Sequence, residues 1–267
     1  MPTVQELYEL WAEEGELEHT LTRSLEPRGT ESLYEVFAAL GPQPGDLVLD
    51  AGCRDAGHAI KLVREHGVRA IAVDPLPIHA ERARKAVDDA ELADEIEVVE
   101  AGLEALPFAD ASVDWIWCRD VLVHVDVRRG LGECVRVLRP GGAMVAYVTV
   151  ATDRLEPRES DELSRAIALT ADGFDARRLE AAASDVGFAT RAVTRLGPEW
   201  RERMIENGDW NPAEDLLQIA RLGRRRDELV AVHGTDAVEV AEAGLRWGIY
   251  QLLGKLCPTI YVWERRA

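Results

Sequence analysis

Apolar positions along the chain change period twice. Over residues 4–40 they recur at helical spacing: Leu7, Leu10, Trp11 and Leu17 form one stripe, and Leu33, Val36, Phe37 and Leu40 a second. Thr3-Val4-Gln5-Glu6 has the form of a capping box, and Gly41-Pro42 stops the second run. About forty residues of helix are therefore expected before the first strand. From residue 45 short apolar runs take over: LVLDAG (47–52), VRAIAVD (68–74), IEVVEAG (96–102), VDWIWCRD (113–120) and AMVAYVTV (143–150). Helical stretches separate them, one carrying Ile78, Ala83 and Val87, another Leu131, Cys134, Val135 and Leu138, with RPGG (139–142) as the turn into the fifth run. Strands alternating with helices at this spacing predict an α/β fold, a doubly wound, mostly parallel sheet with helices on both faces.

The last 117 residues (151–267) are mostly helical and rich in Arg and Glu. ATRAVTRL (189–196) and TIYVWER (259–265) read as two more strands, which brings the sheet to seven and adds them at its edge. Asn211-Pro212-Ala213-Glu214 opens a helix between them. One structural domain is expected, with a helical cover over 1–44, a core over 45–198 and 255–267, and a helical lid inserted over 199–254.

With 267 residues the chain buries a large core without a disulfide or metal staple. Lys and Arg number 31 and Asp and Glu 49, for a net charge of −18. That balance argues against a surface built on nucleic-acid phosphates. No apolar run reaches the ~18 residues of a membrane span, and the acidic, amphipathic N-terminus does not read as a signal peptide. Cys53, Cys118, Cys134 and Cys257 show no C-x-x-C pair or zinc spacing, and the six histidines form no H-E-x-x-H site. Reduced thiols in a cytoplasmic protein without a metal centre are expected, and a homodimer stays open.

Parallel sheets take ligands at the carboxyl ends of their strands. The first strand ends in Asp50-Ala51-Gly52-Cys53-Arg54-Asp55-Ala56-Gly57-His58, and the second in Asp74, 24 residues after Asp50. A glycine at such a turn lets the backbone approach a ligand, and a carboxylate at the second strand end can accept ribose hydroxyls. Pro75 also makes Asp74 a candidate helix cap. These features fit a nicotinamide dinucleotide or an adenosyl cofactor. No G-x-G-x-x-G follows the first strand, and the chain lacks a Tyr-x-x-x-Lys pair.

The order VLDAGC, AVD, LEALPFADASVDWIWCRDVLVHV, RVLRPGGAMVAY resembles the class I S-adenosylmethionine-dependent methyltransferases, most closely the small-molecule branch typified by quinone-biosynthesis enzymes. The resemblance implies a Rossmann-like core with S-adenosyl-L-methionine as cofactor. It implies that Asp50 and Gly52, with Cys53 and Arg54 beside them, hold the methionine end. Asp74, next to Pro75, would take the ribose, Gly102 and Leu103 would lie by the adenine, and Cys118 and Arg119 by the sulfonium. The family's loop reads Asp-x-Gly-x-Gly-x-Gly. Here Arg54 and Ala56 stand at the second and third glycines, and Gly102 where an Asp is frequent. The expectation is a loop of altered path that L-residues hold without strain, with Arg54 touching the cofactor carboxylate.

Methyl transfer from a sulfonium is an in-line displacement, so the protein positions the acceptor and removes a proton where there is one. His124, just beyond the fourth strand, is the candidate base, and Asp120 can orient it, act itself, or cap a helix. His58 and His79 read as helix-surface residues, and Trp115 and Trp117 as core. Tyr8, Trp11, Trp200 and Tyr250 lie on helices that would cover the site and are the candidate acceptor contacts. Arg224-Arg225-Arg226 reads as a solvated face paired with Asp227 and Glu228 rather than an anion site. The expected activity is methyl transfer to the O, N or C of a small hydrophobic or amphipathic molecule. The alternative is a cofactor-binding protein of this fold without methyl transfer.

Overall fold

Five apolar runs form the parallel strands: β1 (Leu47–Ala51), β2 (Arg69–Asp74), β3 (Ile96–Glu100), β4 (Val113–Arg119) and β5 (Leu138–Ala151). β6 (Phe188–Arg195) and β7 (Leu256–Arg265) complete a seven-stranded sheet of order β3-β2-β1-β4-β5-β7-β6. β7 runs antiparallel to both β5 and β6. The computed structural model describes residues 2–12 and 15–266, and the side chains of Trp11, Ala12 and Glu16 lie outside that description.

The helices are α1 (Val4–Ala12), α2 (Glu16–Leu21), α3 (Glu31–Ala39), α4 (Gly57–His66), α5 (Pro77–Asp89), α6 (Val127–Val137), α7 (Pro157–Ala166), α8 (Ala171–Phe174), α9 (Ala176–Val186), α10 (Glu199–Glu206), α11 (Pro212–Arg224), α12 (Arg226–His233) and α13 (Thr235–Leu252). Alternate residues of the inner strands feed two cores. Val48, Trp117 and Tyr147 face Phe37 of α3, Leu62 of α4 and Trp200 of α10. Leu49, Ile116 and Met144 face Leu131 of α6 and Leu179 of α9. Period-2 strands buried on both faces read as continuous apolar runs for this reason. Leu131 is fully buried, and burial of a side chain of that size stabilises by ~1.5–3 kcal/mol.

Several expectations are corrected. The N-terminal stretch is three helices rather than two, because the first run divides into α1 and α2, whose stripe is exposed: Leu10 and Leu17 are 62% and 71% exposed. The Thr3–Glu6 capping box does form, with Glu6 accepting from the Thr3 N–H at 2.6 Å and Thr3 Oγ1 accepting from the Glu6 N–H at 3.3 Å. Residues 139–142 do form the expected turn, inside the span of β5: they pair with neither β4 nor β7, and Gly141 has φ +79°. α6 runs straight into β5, and the irregularity lies in the β4–β5 register between Val113 and Trp115. The two late strands are not both at the edge, because β7 is interior and only β6 is an edge strand.

Register aligns the carboxyl ends. Asp50 lies opposite Ala72 on one side and Trp117 on the other. β1 is the point from which the chain winds both ways, toward β2–β3 and toward β4–β5, and this is where such sheets open a crevice.

Candidate active site

β1 delivers Asp50 into the crevice almost fully buried, and Oδ2 has no hydrogen-bond partner among the described residues. Burial pushes its pKa up to about 7 against the pull of the Ala59 N–H. Gly52 follows with φ +78°, and its N–H, like that of Cys53, donates to the Val73 carbonyl. A Cβ at Gly52 would stand 2.1 Å from Val121 Cγ2. Glycine is therefore required here by both φ and Val121, and the space it opens is filled by that side chain. Cys53 is buried with its thiol pushed up to about 12 by desolvation, so it is no nucleophile.

Arg54 and Ala56 have φ +54° and +58°. The expected altered path is contradicted: the loop keeps the left-handed conformations that glycine favours, with L-residues in them. The reason is visible at Asp74. Its Oδ2 accepts from the Arg54 N–H at 3.0 Å, which fixes the loop in this path. Its Oδ1 accepts from the Leu76 N–H at 3.0 Å and meets His79 Nδ1 at 3.0 Å. Asp74 is not the helix cap its sequence context suggested, because the N-cap of α5 is Leu76 and no side chain caps it; Asp74 accepts from the N–H of Leu76 instead, and its Oδ2 keeps a lone pair for a ligand. Pro75 is exposed and Gly102 half-buried, while Leu103 is buried against Gly130 of α6.

At the end of β4 the Cys118 side chain turns into the core beside α6, so only its main chain lies at the crevice. Arg119 turns the other way. Its Nη1 meets His58 Nε2 at 3.1 Å, and its guanidinium lies 5.5 and 5.6 Å from the ring centroids of Tyr147 and Trp200. His58 Nδ1 is 2.5 Å from Tyr34 Oη. Burial, with Arg119 adding to it, lowers the His58 pKa to about 4, so the ring is neutral. A guanidinium only donates, so Nε2 accepts and the Nδ1 proton goes to Tyr34. His58 is not the surface residue expected.

Asp120 holds φ +56°, a strained conformation for a residue with a side chain. Its Oδ2 is 3.9 Å from Arg119 Nε and its buried Oδ1 has no hydrogen-bond partner among the described residues. Burial raises its pKa to about 6, with Arg119 opposing the rise. Beyond it, Gln251 Nε2 donates to Thr149 Oγ1 at 3.1 Å and Arg201 Nε donates to Gln251 Oε1 at 2.6 Å. Trp200 is buried on Tyr147, with centroids 4.6 Å apart. His124 is exposed, and its Nδ1 lies 3.3 Å from the Ala168 carbonyl oxygen. Tyr8 is 63% exposed on α1, and the side chain of Trp11 lies outside the described residues. Tyr250 is buried and accepts from Arg246 at 3.0 Å. It lines a cavity of about 390 Å³ between α7 and α13, whose other walls include Glu159, Leu163, Arg226, Glu242 and Arg246. Arg225 pairs with Glu228 and Arg226 with Glu242, in keeping with a paired rather than anion-binding run.

Sequence reasoning missed Tyr34, His58, Tyr147, Thr149, Arg201 and Gln251. Arg201 beside the apolar Trp200 was the one local signal. The others reach the site only through tertiary pairing.

The family model that describes a methyltransferase domain matches residues 49–146. Residues 49–146 are a methyltransferase domain. That span takes in β1 through the middle of β5, the whole crevice described above. A dimethylglycine N-methyltransferase of Parasynechococcus marenigrum is 36% identical over 129 residues, 47% of this chain and 45% of that protein. The chain spans about half the length of the curated relatives it matches. The fold of the methyltransferase domain and its flanking helices is shared with geranyl diphosphate C-methyltransferase of Streptomyces coelicolor A3(2), solved with Mg2+, geranyl diphosphate and S-adenosyl-L-homocysteine (TM-score 0.65, 17% identity, 88% of this chain and 79% of that one). It is shared equally with a [4+2]-cyclase (TM-score 0.67, 15% identity, 89% and 81%). Likeness at this identity shows the fold alone. No helix among the described residues is long and apolar enough to cross a membrane.

Proposed function

We propose that the chain binds S-adenosylmethionine across the ends of β1 and β2 and transfers its methyl group to a small molecule held under α10 and α13. The observation that carries this reading is Asp50: a buried carboxylate with one oxygen unmatched, at a loop held in glycine-like conformations, beside a second carboxylate with a lone pair to spare. A buried carboxylate of this kind calls for a cationic partner. The ammonium of the cofactor's methionine end supplies one. Bound there, the cofactor would bring an electrophilic sulfonium methyl group. Asp50 and the Gly52–Arg54 backbone hold the amino-acid end, and Asp74 Oδ2 takes a ribose hydroxyl. Gly102 and Leu103 border the adenine. Arg119 and the Cys118 main chain border the reacting end.

Of the two candidate bases, Asp120 suits the task better. It stands in the polar chamber with an unmatched oxygen and a pKa raised to about 6, so it is ionised near neutrality and can accept the acceptor's proton. His124 faces solvent. In this reading residues 199–254 act as a lid and 1–44 as a cover, with Trp200 and Tyr250 as acceptor contacts. The net charge of −18 supports an enzyme with no nucleic-acid partner, and the free thiols of Cys53, Cys118, Cys134 and Cys257 suit a cytoplasmic one.

Calorimetric titration tests the donor site. S-adenosylhomocysteine should bind one to one, and Asp74→Ala should weaken it about 10- to 150-fold, the value of a lost charge-assisted hydrogen bond. Absence of binding to the wild type refutes the proposal. Because the fold also serves a cyclase, release of labelled methyl to an acceptor panel separates methyl transfer from mere cofactor binding.

A further inference from the structure

A run of hydrogen bonds reaches β5 from α10 and α13, and its direction is fixed. The guanidinium of Arg201 only donates, so its Nε, 2.6 Å from Gln251, turns the amide with Oε1 toward it. Nε2 is then the end that meets Thr149 Oγ1 at 3.1 Å, and the hydroxyl oxygen is the acceptor. Gln251 and Thr149 are both buried, so neither trades its partner for water. The Thr149 hydroxyl proton cannot go back to an amide N–H. It needs an acceptor inside the protein, because an unspent buried donor is costly.

Strand geometry brings Asp120 to it. Arg119 lies opposite Tyr147, and the Asp120 N–H donates to the Tyr147 carbonyl at 2.9 Å, which sets Asp120 level with Val148. Thr149 is the next residue of β5 and shares a sheet face with Tyr147. Arg119 lies on that face, 5.5 Å from the Tyr147 ring centroid, and at φ +56° Asp120 brings its Oδ2 to 3.9 Å from Arg119 Nε. Asp120 Oδ1 is buried and unspent among the described residues. The Tyr147 hydroxyl oxygen is the competing acceptor, and a carboxylate is the stronger one. We infer that Thr149 is a positioning residue: Arg201 and Gln251 turn its hydroxyl proton toward Asp120 Oδ1, and that hydrogen bond holds the carboxylate as a proton acceptor. The inference rests on the reading of Asp120 as the base and ties that base to α10 and α13. Burial raises the Asp120 pKa, and Arg119, Thr149 and Arg201 pull it down. The Tyr147 hydroxyl and the Cys118 thiol beside it stay protonated, their pKa values raised by burial, so Asp120 is the one of these groups that titrates near neutrality.

The test follows the Asp120 carboxyl itself, by carbon-13 NMR of the full chain labelled at its aspartate carboxyls and titrated without cofactor. Asp50→Asn and Asp120→Asn assign the signals of the two aspartates whose pKa values are raised. Thr149→Val keeps the shape and removes the hydroxyl, and it should raise the Asp120 pKa by about 1–2 pH units, the value of one hydrogen bond to a charged group. Thr149→Ser should return it to within about 0.5 of the wild-type value. Gln251→Met leaves the hydroxyl free to turn and should move the pKa the same way by less. A Thr149→Val titration that matches the wild type overturns the inference and gives the proton to Tyr147. So does a Thr149→Ser protein that titrates like Thr149→Val, because packing and not the hydroxyl would then be the cause. If Thr149→Val does not fold, Thr149→Ala puts the same question. The titration needs no methyl acceptor, so it stands apart from the base assignment: an Asp120→Asn protein that transfers methyl at the wild-type rate refutes that assignment and leaves the hydrogen bond in place.

Discussion

Arg54→Gly isolates the strain in the loop after β1. Arg54 is exposed, its side chain makes no hydrogen bond or ion pair among the described residues, and its backbone sits at φ +54° while its N–H donates to Asp74. The left-handed conformation costs an L-residue ~1–2 kcal/mol. Glycine removes that cost but adds ~0.5–1 kcal/mol of unfolded-state freedom. At the centre of each range the net gain is ~0.75 kcal/mol, which for a chain of this size is about 1.5–3 °C in Tm. Arg54→Ala keeps the Cβ and the strain while deleting the guanidinium, so it should leave Tm within about 1 °C of the wild type by the same relation. Thermal and urea melts of the cofactor-free protein read both variants, and the difference between Gly and Ala is the quantity of interest. Equal stability of the two would mean that residue 54 does not hold the left-handed conformation in solution. If the guanidinium touches the donor, Ala and Gly should weaken S-adenosylhomocysteine by the same factor, since the Asp74 hydrogen bond survives in both.

Asp50 links pH to binding: its folded pKa is raised, so the cofactor-free protein is favoured below about pH 4 and loses that advantage as pH rises through about 7. A cationic ligand needs the ionised form, so S-adenosylhomocysteine affinity should climb up to about tenfold per pH unit below 7 and then level, and Asp50→Asn should flatten the profile. A pH-independent wild-type affinity would remove Asp50 from the site. If Asp120 is the base, Asp120→Asn should lower turnover about 10²–10⁴-fold and abolish an acidic limb near pH 6, with donor affinity retained, whereas His124→Ala should stay within about threefold. The reverse ranking in steady-state rates would return the role to His124. Cutting the chain at 197 deletes β7, which exposes one edge of β5 and leaves β6 without a partner, so a 1–197 fragment should aggregate. A soluble fragment with a cooperative melt would contradict that.

The sheet was legible because its strands are apolar runs buried on both faces, and their ends came within one to three residues, apart from the earlier start of β5. Asp50, Gly52 and Asp74 were legible for the same reason, since a strand's last residues are set by the run itself. The path of residues 52–56 was not. Arg54 and Ala56 argue locally against positive φ, and the hydrogen bond from Asp74, 20 residues away, overrides them. The polar chamber was hidden by distance: Thr149 and Gln251 are separated by 102 residues and meet only because β5 pairs with β7. The apolar stripe of α1 was legible as helical but its exposure was not, because periodicity reports a face and not what covers it.

The interior place of β7 sets an order on synthesis. β5 is complete at Ala151, yet its antiparallel partner begins at Leu256. At ribosomal rates of ~5–20 residues per second, the intervening stretch takes about 5–20 s to make. Through that interval Val145–Val150 would present an apolar, hydrogen-bonding edge to solvent, and β6, already made, cannot close it without β7 between them. The nascent chain is thus open to edge-to-edge association at one defined stage, and slow codons between β6 and β7 should lower the soluble yield more than the same codons upstream of β4.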